Sequence, residues 1–202
     1  GENLDSERSY DRFRGLVGQQ HWSESDRTMV FLAQDIALSV PCQATYARPQ
    51  DQSGLFHITY AQHSRNVANT AMDLGLSAQA VAAALLHDVL EDTLYPKTEL
   101  LRQFPQAVID MVEALSRPKD SSREQFLEHV AQLDGEAKVV KALDRYDNLI
   151  RGLGIQDPAY HQRILAETEK YYDPIYAGEP RLAGLRPSYE LFKSEVARLF
   201  GN

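Results

Sequence analysis

The chain has 202 residues, 43% of them hydrophobic and 25% charged, a balance that excludes the disordered, fibrous and membrane-spanning classes and suits one globular domain. Its one cysteine, Cys42, cannot form an internal disulfide, and the longest apolar run, Ala80 to Leu86, is too short to span a bilayer. A net charge of −8 argues against nucleic acid or an anionic membrane as partner, and requires any phosphate-binding cations to be local. A cytoplasmic protein is expected.

Apolar residues recur at helical spacing, and no long stretch alternates strictly, so the predicted fold is all-α. In chain order the pattern predicts helices over 25–40, 60–74, 77–91, 97–115 with a break near Pro105, 121–133, 135–152, 157–176 and 187–200, a bundle of about eight. Gly75 is expected to end one helix and Ser77 to cap the next. Pro96 restarts the chain after a turn, and Asp157-Pro158 opens the long helix. The most loop-like interior segment is 47–54, ARPQDQSG. Residues 178–187, GEPRLAGLRP, form a connector to a terminal helix expected to pack on the same body. The chain is therefore taken as one domain over 1–202, with a core at about 25–177 and a C-terminal connector and helix at 178–202.

The segment Ala80 to Thr93, AVAAALLHDVLEDT, holds the densest chemistry. Treated as one helix at about 100° per residue, it puts His87, Glu91, Asp88 and Asp92 on one arc and Leu85, Leu86, Val89 and Leu90 on the other. A helix end with an ordinary acidic face would look similar. Seven apolar residues precede the polar arc, however, and burying three carboxylates beside an imidazole is costly unless a cation neutralises them. A second stripe lies in 138–153, where Lys141, Asp144, Arg145, Asn148 and Arg151 oppose Val139, Ala142, Leu143, Leu149 and Ile150. Taken alone it fits surface ion pairs, and His63, in YAQHSRNVA, fits a structural histidine.

Together, His63, His87-Asp88 and Asp144 form an H…HD…D pattern on helices, and the chain resembles the metal-dependent phosphohydrolases of the HD superfamily. The matches AALLHDVLEDT, YAQHSRNVA, VKALDRYDNL, AETEKYYDPIYA and FPQAVIDMVEALSR are similar to the hydrolase domain of RelA/SpoT alarmone enzymes, from about Ala47 to Ala177. The resemblance implies an HD-domain helical bundle in which His63, His87, Asp88 and Asp144 hold one divalent ion. Such a nitrogen and oxygen set suits Mn²⁺, with Fe²⁺ or another divalent ion as alternatives, better than structural zinc. It implies that Glu91 and Asp92 position and activate the attacking water, and that Asn148 contacts substrate. Arg48 is implied to face the substrate pyrophosphate; Lys141, Arg145 and Arg151 are further candidates for phosphate contact.

Several positions depart from the family pattern: Ser64 stands for a proline, Asp147 for a histidine and Arg151 for a threonine, with Phe56 and His57 near the pocket entrance. The expected activity is Mn²⁺-dependent removal of the 3′-pyrophosphate from (p)ppGpp, a small nucleotide, by a stand-alone hydrolase. One alternative is an HD phosphohydrolase for another nucleotide, such as the 2′-phosphate of NADPH or a 3′-modified nucleotide. A non-catalytic nucleotide sensor ranks below both, because ligands and acidic pair are intact.

Overall fold

A computed structural model describes residues 2–40 and 60–200, with side chains at 7–40 and 61–200. Cys42, Arg48, Phe56, His57 and the expected loop at 47–54 lie outside the described residues. Every regular element among those described is helical, as the all-α reading requires. They fall into two compact units, one holding the helices before residue 122 and the other those after it.

The first unit contains α1 (Glu2–Gln19), α2 (Glu24–Ser39), α3 (Tyr60–Asp73), α4 (Ala78–Leu86), α5 (Val89–Asp92), α6 (Lys97–Gln103) and α7 (Gln106–Leu115). Helix α4 is its centre. Ala78 and the run Ala80 to Leu86 are all buried, and α4 packs against α2, α3 and α7. Alanines let neighbouring helices approach, while Leu85 and Leu86 each contribute roughly 2 kcal/mol by leaving water. The start and stop signals act as expected. Gly75 takes φ 71, the left-handed conformation that ends α3, and the Ser77 hydroxyl accepts the Ala80 N–H at 3.2 Å.

Two features differ from the sequence expectation. Helix α1 was not expected, because its first turns are polar all round and its apolar stripe, Tyr10, Phe13 and Val17, occupies only the later half. Tertiary packing supplies the difference: Phe13 and Val17 are buried, α1 lies on α3, and Phe13 meets Phe31 edge-on at 5.7 Å. The expected continuous helix over 77–91 is also broken, at His87–Asp88, where Asp88 takes φ −98 and ψ −5. Two side chains claim helical acceptors there. His87 Nδ1 lies 2.7 Å from the Ala84 carbonyl, and Ser116 Oγ donates to the His87 carbonyl at 3.1 Å.

The second unit contains α8 (Arg123–Gln132), α9 (Gly135–Gly152), α10 (Pro158–Glu167), a π-helical turn (Thr168–Tyr172), α11 (Asp173–Gly178), a 3₁₀ segment (Pro180–Leu185) and α12 (Arg186–Phe200). Helix α9 buries Val139, Val140, Ala142, Leu143 and Leu149 and packs on α11, α12 and the π-turn. Asp157 caps α10 by accepting the Tyr160 N–H at 3.1 Å, with Pro158 in the first turn. The expected helix over 157–176 carries the π-turn within it, next to Thr168 Oγ1, which donates to the Ile164 carbonyl at 2.6 Å. The terminal helix is well anchored: Tyr189 stacks on Tyr176 at 3.7 Å, and the buried His161 ring stacks on Phe200 at 3.8 Å.

Candidate metal centre and catalytic carboxylates

In the first unit, α3 supplies His63, and the break after α4 supplies His87 and Asp88. All three are buried, the two histidines at 1% exposure and Asp88 at 8%. The imidazole rings meet edge-on with centroids 5.1 Å apart. Asp88 Oδ2 lies 3.2 Å from His87 Nε2 and 3.7 Å from His63 Nε2, so two ring nitrogens and a carboxylate oxygen converge. The Ala84 carbonyl only accepts, so His87 Nδ1 carries the proton facing it, and in the neutral ring that leaves Nε2 with the lone pair a metal would use. That tautomer, fixed by a backbone carbonyl, is the arrangement that orients a metal-binding histidine. The donor set fits a divalent ion that takes mixed nitrogen and oxygen ligands.

Glu91, on the four-residue α5, is braced from the end of α7. Its Oε2 accepts the Arg117 backbone N–H at 3.0 Å, and its Oε1 lies 3.5 Å from Arg117 Nε. Asp92 follows it on α5 and is half-buried. Neither Ser116 nor Arg117 stood out from the sequence, although both close the segment FPQAVIDMVEALSR; nothing in local spacing couples Arg117 to a carboxylate 26 residues earlier.

In the second unit the α9 residues form a ladder along one helix. Lys141 Nζ pairs with Asp144 Oδ2 at 2.9 Å, and Asn148 Nδ2 donates to Asp144 Oδ1 at 2.6 Å. Arg151 donates to Asp147 Oδ2 at 3.0 Å and also to Asn148 Oδ1. These contacts follow from i, i+3 and i+4 spacing, and Lys141, Asp144 and Asp147 are buried. Arg145 leaves this face. Its guanidinium, 5% exposed, donates to Glu167 Oε2 at 3.1 Å and lies 4.5 Å from the Tyr172 ring centroid. Arg123 donates to both Glu167 oxygens. Burial alone would raise the Glu167 carboxyl, but the Arg123 hydrogen bonds and the Arg145 charge outweigh it and hold Glu167 below the usual glutamate range.

Of the residues singled out from sequence, His63, His87 and Asp88 are brought together in the first unit, with Glu91 and Asp92 on the next helical turn. Lys141, Asp144, Asn148 and Arg151 share one ladder in the second, Arg145 goes to the Glu167 network, and Arg48 lies outside the described residues.

The helical fold of the described residues, with its buried His/His-Asp cluster, fits the class of protein that the sequence comparison identifies. The chain belongs to the HD domain family, which matches residues 42–145, about half its length; the family implies a bound divalent metal. Among curated relatives it is 33% identical over 126 residues to a guanosine-3′,5′-bis(diphosphate) 3′-pyrophosphohydrolase of Haemophilus influenzae. It is 30% identical over 126 residues to the bifunctional (p)ppGpp synthase/hydrolase SpoT of Escherichia coli K12. Each alignment covers 57% of this chain and 18% of the relative, so the chain spans about a fifth of the length of these relatives. A solved structure of a metazoan SpoT ortholog, described as hydrolysing ppGpp, superposes with a TM-score of 0.62 at 22% identity, covering 90% of this chain and 98% of the other. That likeness establishes the fold.

Proposed function

We propose that this chain is a Mn²⁺-dependent (p)ppGpp 3′-pyrophosphohydrolase. The observation that carries the reading is the buried His63, His87 and Asp88 cluster with the His87 tautomer set by Ala84, followed one turn later by Glu91 and Asp92. Asp144 is the fourth ligand in this proposal, which treats the chain as one functional hydrolase domain. Bound there, the dication lowers the pKa of water and polarises the phosphate to be cleaved. Water attacks the phosphorus attached to the ribose 3′ oxygen, and that P–O bond breaks. Glu91, assisted by Asp92, takes the water proton, the 3′ oxygen gains one, and the products are pyrophosphate with GDP or GTP. Asn148, Arg151 and Lys141 on α9, with Arg48, are assigned to the nucleotide; Arg145, held by Glu167, is assigned to bracing α9.

The activities of the relatives support a small-nucleotide substrate. No helix among the described residues is long and apolar enough to cross a membrane; with a single cysteine, action in the cytoplasm completes the proposal. The test is hydrolysis of ppGpp by the purified protein with Mn²⁺, assaying pyrophosphate and orthophosphate separately. Pyrophosphate as the product, lost in Asp88→Ala, supports the reading; no turnover with any divalent metal overturns it. A second reading, hydrolysis of another phosphorylated nucleotide, is favoured by the Asp147–Arg151 pair, which engages the nucleoside-side residue Asn148. Orthophosphate as the main product from a nucleotide panel would select it.

A further inference from the structure

We propose that Arg117 is a positioning residue that fixes the catalytic carboxylate of Glu91, an inference that rests on the assignment of Glu91 above. A glutamate has three side-chain torsions, and α5 is only four residues long, so the helix by itself leaves the carboxylate free to rotate away from an attacking water. The structure supplies the missing constraint from α7. That helix ends at Leu115, and Ser116 turns the chain to an extended conformation, φ −93 and ψ 137, which takes the next backbone N–H out of the helical ladder. The freed N–H of Arg117 donates to Glu91 Oε2 at 3.0 Å, and the guanidinium Nε approaches Glu91 Oε1 at 3.5 Å. One carboxylate oxygen is thus hydrogen-bonded and the other attracted by the guanidinium charge of the same residue, which biases the orientation of the group as well as its place.

The brace is itself held. Ser116, 9% exposed, donates from Oγ to the Val112 carbonyl at 2.7 Å and to the His87 carbonyl at 3.1 Å. Two consecutive residues therefore tie the end of α7 to both the metal-ligand segment, through His87, and the water-activating carboxylate, through Glu91. Their relative position is set by one rigid turn. Arg117 is 40% exposed at its side chain and Glu91 29%, so changing Arg117 removes little packing and leaves its backbone N–H in place.

The test compares Arg117→Ala, Arg117→Lys, Glu91→Gln and the Glu91→Gln/Arg117→Ala double variant in ppGpp hydrolysis with Mn²⁺, with Mn²⁺ affinity by calorimetry and melting temperature alongside. Arg117→Ala is expected to lower kcat about tenfold with KM within about twofold, as for loss of positioning that serves the chemical step and not substrate binding. Mn²⁺ affinity should be unchanged and Arg117→Lys should recover most of the rate. The double variant should be no slower than Glu91→Gln, because an unused brace has nothing left to position. A raised KM at unchanged kcat would make Arg117 a phosphate contact and overturn the proposal, as would additive losses in the double variant. A slow Glu91→Gln beside a wild-type Arg117→Ala removes only the role of Arg117. A Glu91→Gln with undiminished kcat removes the assignment of Glu91 itself.

Discussion

Asp88 and Asp144 are both buried carboxylates, 8% and 7% exposed, yet their surroundings differ in kind. Asp144 sits in an unbroken helix, where an ammonium and an amide one turn away on either side occupy its two oxygens. Asp88 sits at a helix break and faces two imidazoles, one of them oriented by its Nδ1 contact with a backbone carbonyl. The protein neutralises the first with its own lysine. At the second it assembles ligand atoms around a position that a dication would neutralise. Without metal, Asp144 is balanced by Lys141 and contributes to the fold, and as the proposed fourth ligand it would turn to the ion once metal is bound; Asp88 already faces the two imidazoles.

The contrast breaks most sharply if Asp88→Ala keeps activity. That change is expected to remove about 10³-fold or more of the rate, because on the proposed assignment it deletes a ligand of the ion that would activate water, measured as pyrophosphate release with Mn²⁺. Glu91→Gln comes next, with a kcat loss of about 10²-fold and Mn²⁺ affinity retained by calorimetry.

The fold side of the comparison is read in metal-free protein. Glu167→Gln should cost about 2–4 kcal/mol by denaturant unfolding at pH 7, because it leaves the buried Arg145 without its carboxylate. Its pH dependence has a definite sign. The Glu167 carboxyl is held below its unfolded value, so its contribution is full above that value, about pH 4.3, and is lost as pH falls through the depressed folded one. The gap between wild type and Glu167→Gln should therefore narrow in acid. Asp144→Asn should cost about 1–3 kcal/mol without metal, since Lys141 stays buried beside a neutral group. Asp88→Asn should leave metal-free stability unchanged or higher. Equal costs for the two would dissolve the distinction. The smallest effect belongs to Lys97→Ala: its exposed pair with Glu113 is worth about 0.5 kcal/mol or less, with no change in rate.

Helix existence was legible wherever an apolar stripe persisted, as in α4 and α9, and wherever Gly75, Ser77 or Asp157 marked an end. It was not legible in α1, whose burial depends on partners far along the chain. His87, Asp88, Glu91 and Asp92 could be picked out because metal-binding and acid-base side chains are rare beside a run such as Ala80 to Leu86, whereas His63 and Asp144 read alone as a structural histidine and an ion-pair partner and were singled out through the resemblance to the HD phosphohydrolases. What spacing could not convey was the break at His87–Asp88, produced by Ala84 and Ser116 and not by any proline or glycine. For the same reason Arg117 was missed: its partner is distant in sequence, and its backbone N–H carries no residue signature. Arg145 read as one of a cationic stripe, and only the fold turns it inward to Glu167.

The most direct test of the hydrolase assignment follows ppGpp by phosphorus NMR in the presence of chelator-stripped protein, before and after Mn²⁺ is restored. The account predicts no change before addition, and then equimolar GDP and pyrophosphate with no orthophosphate. Hydrolysis without metal, orthophosphate as the product, or intact ppGpp after Mn²⁺ is restored would contradict it.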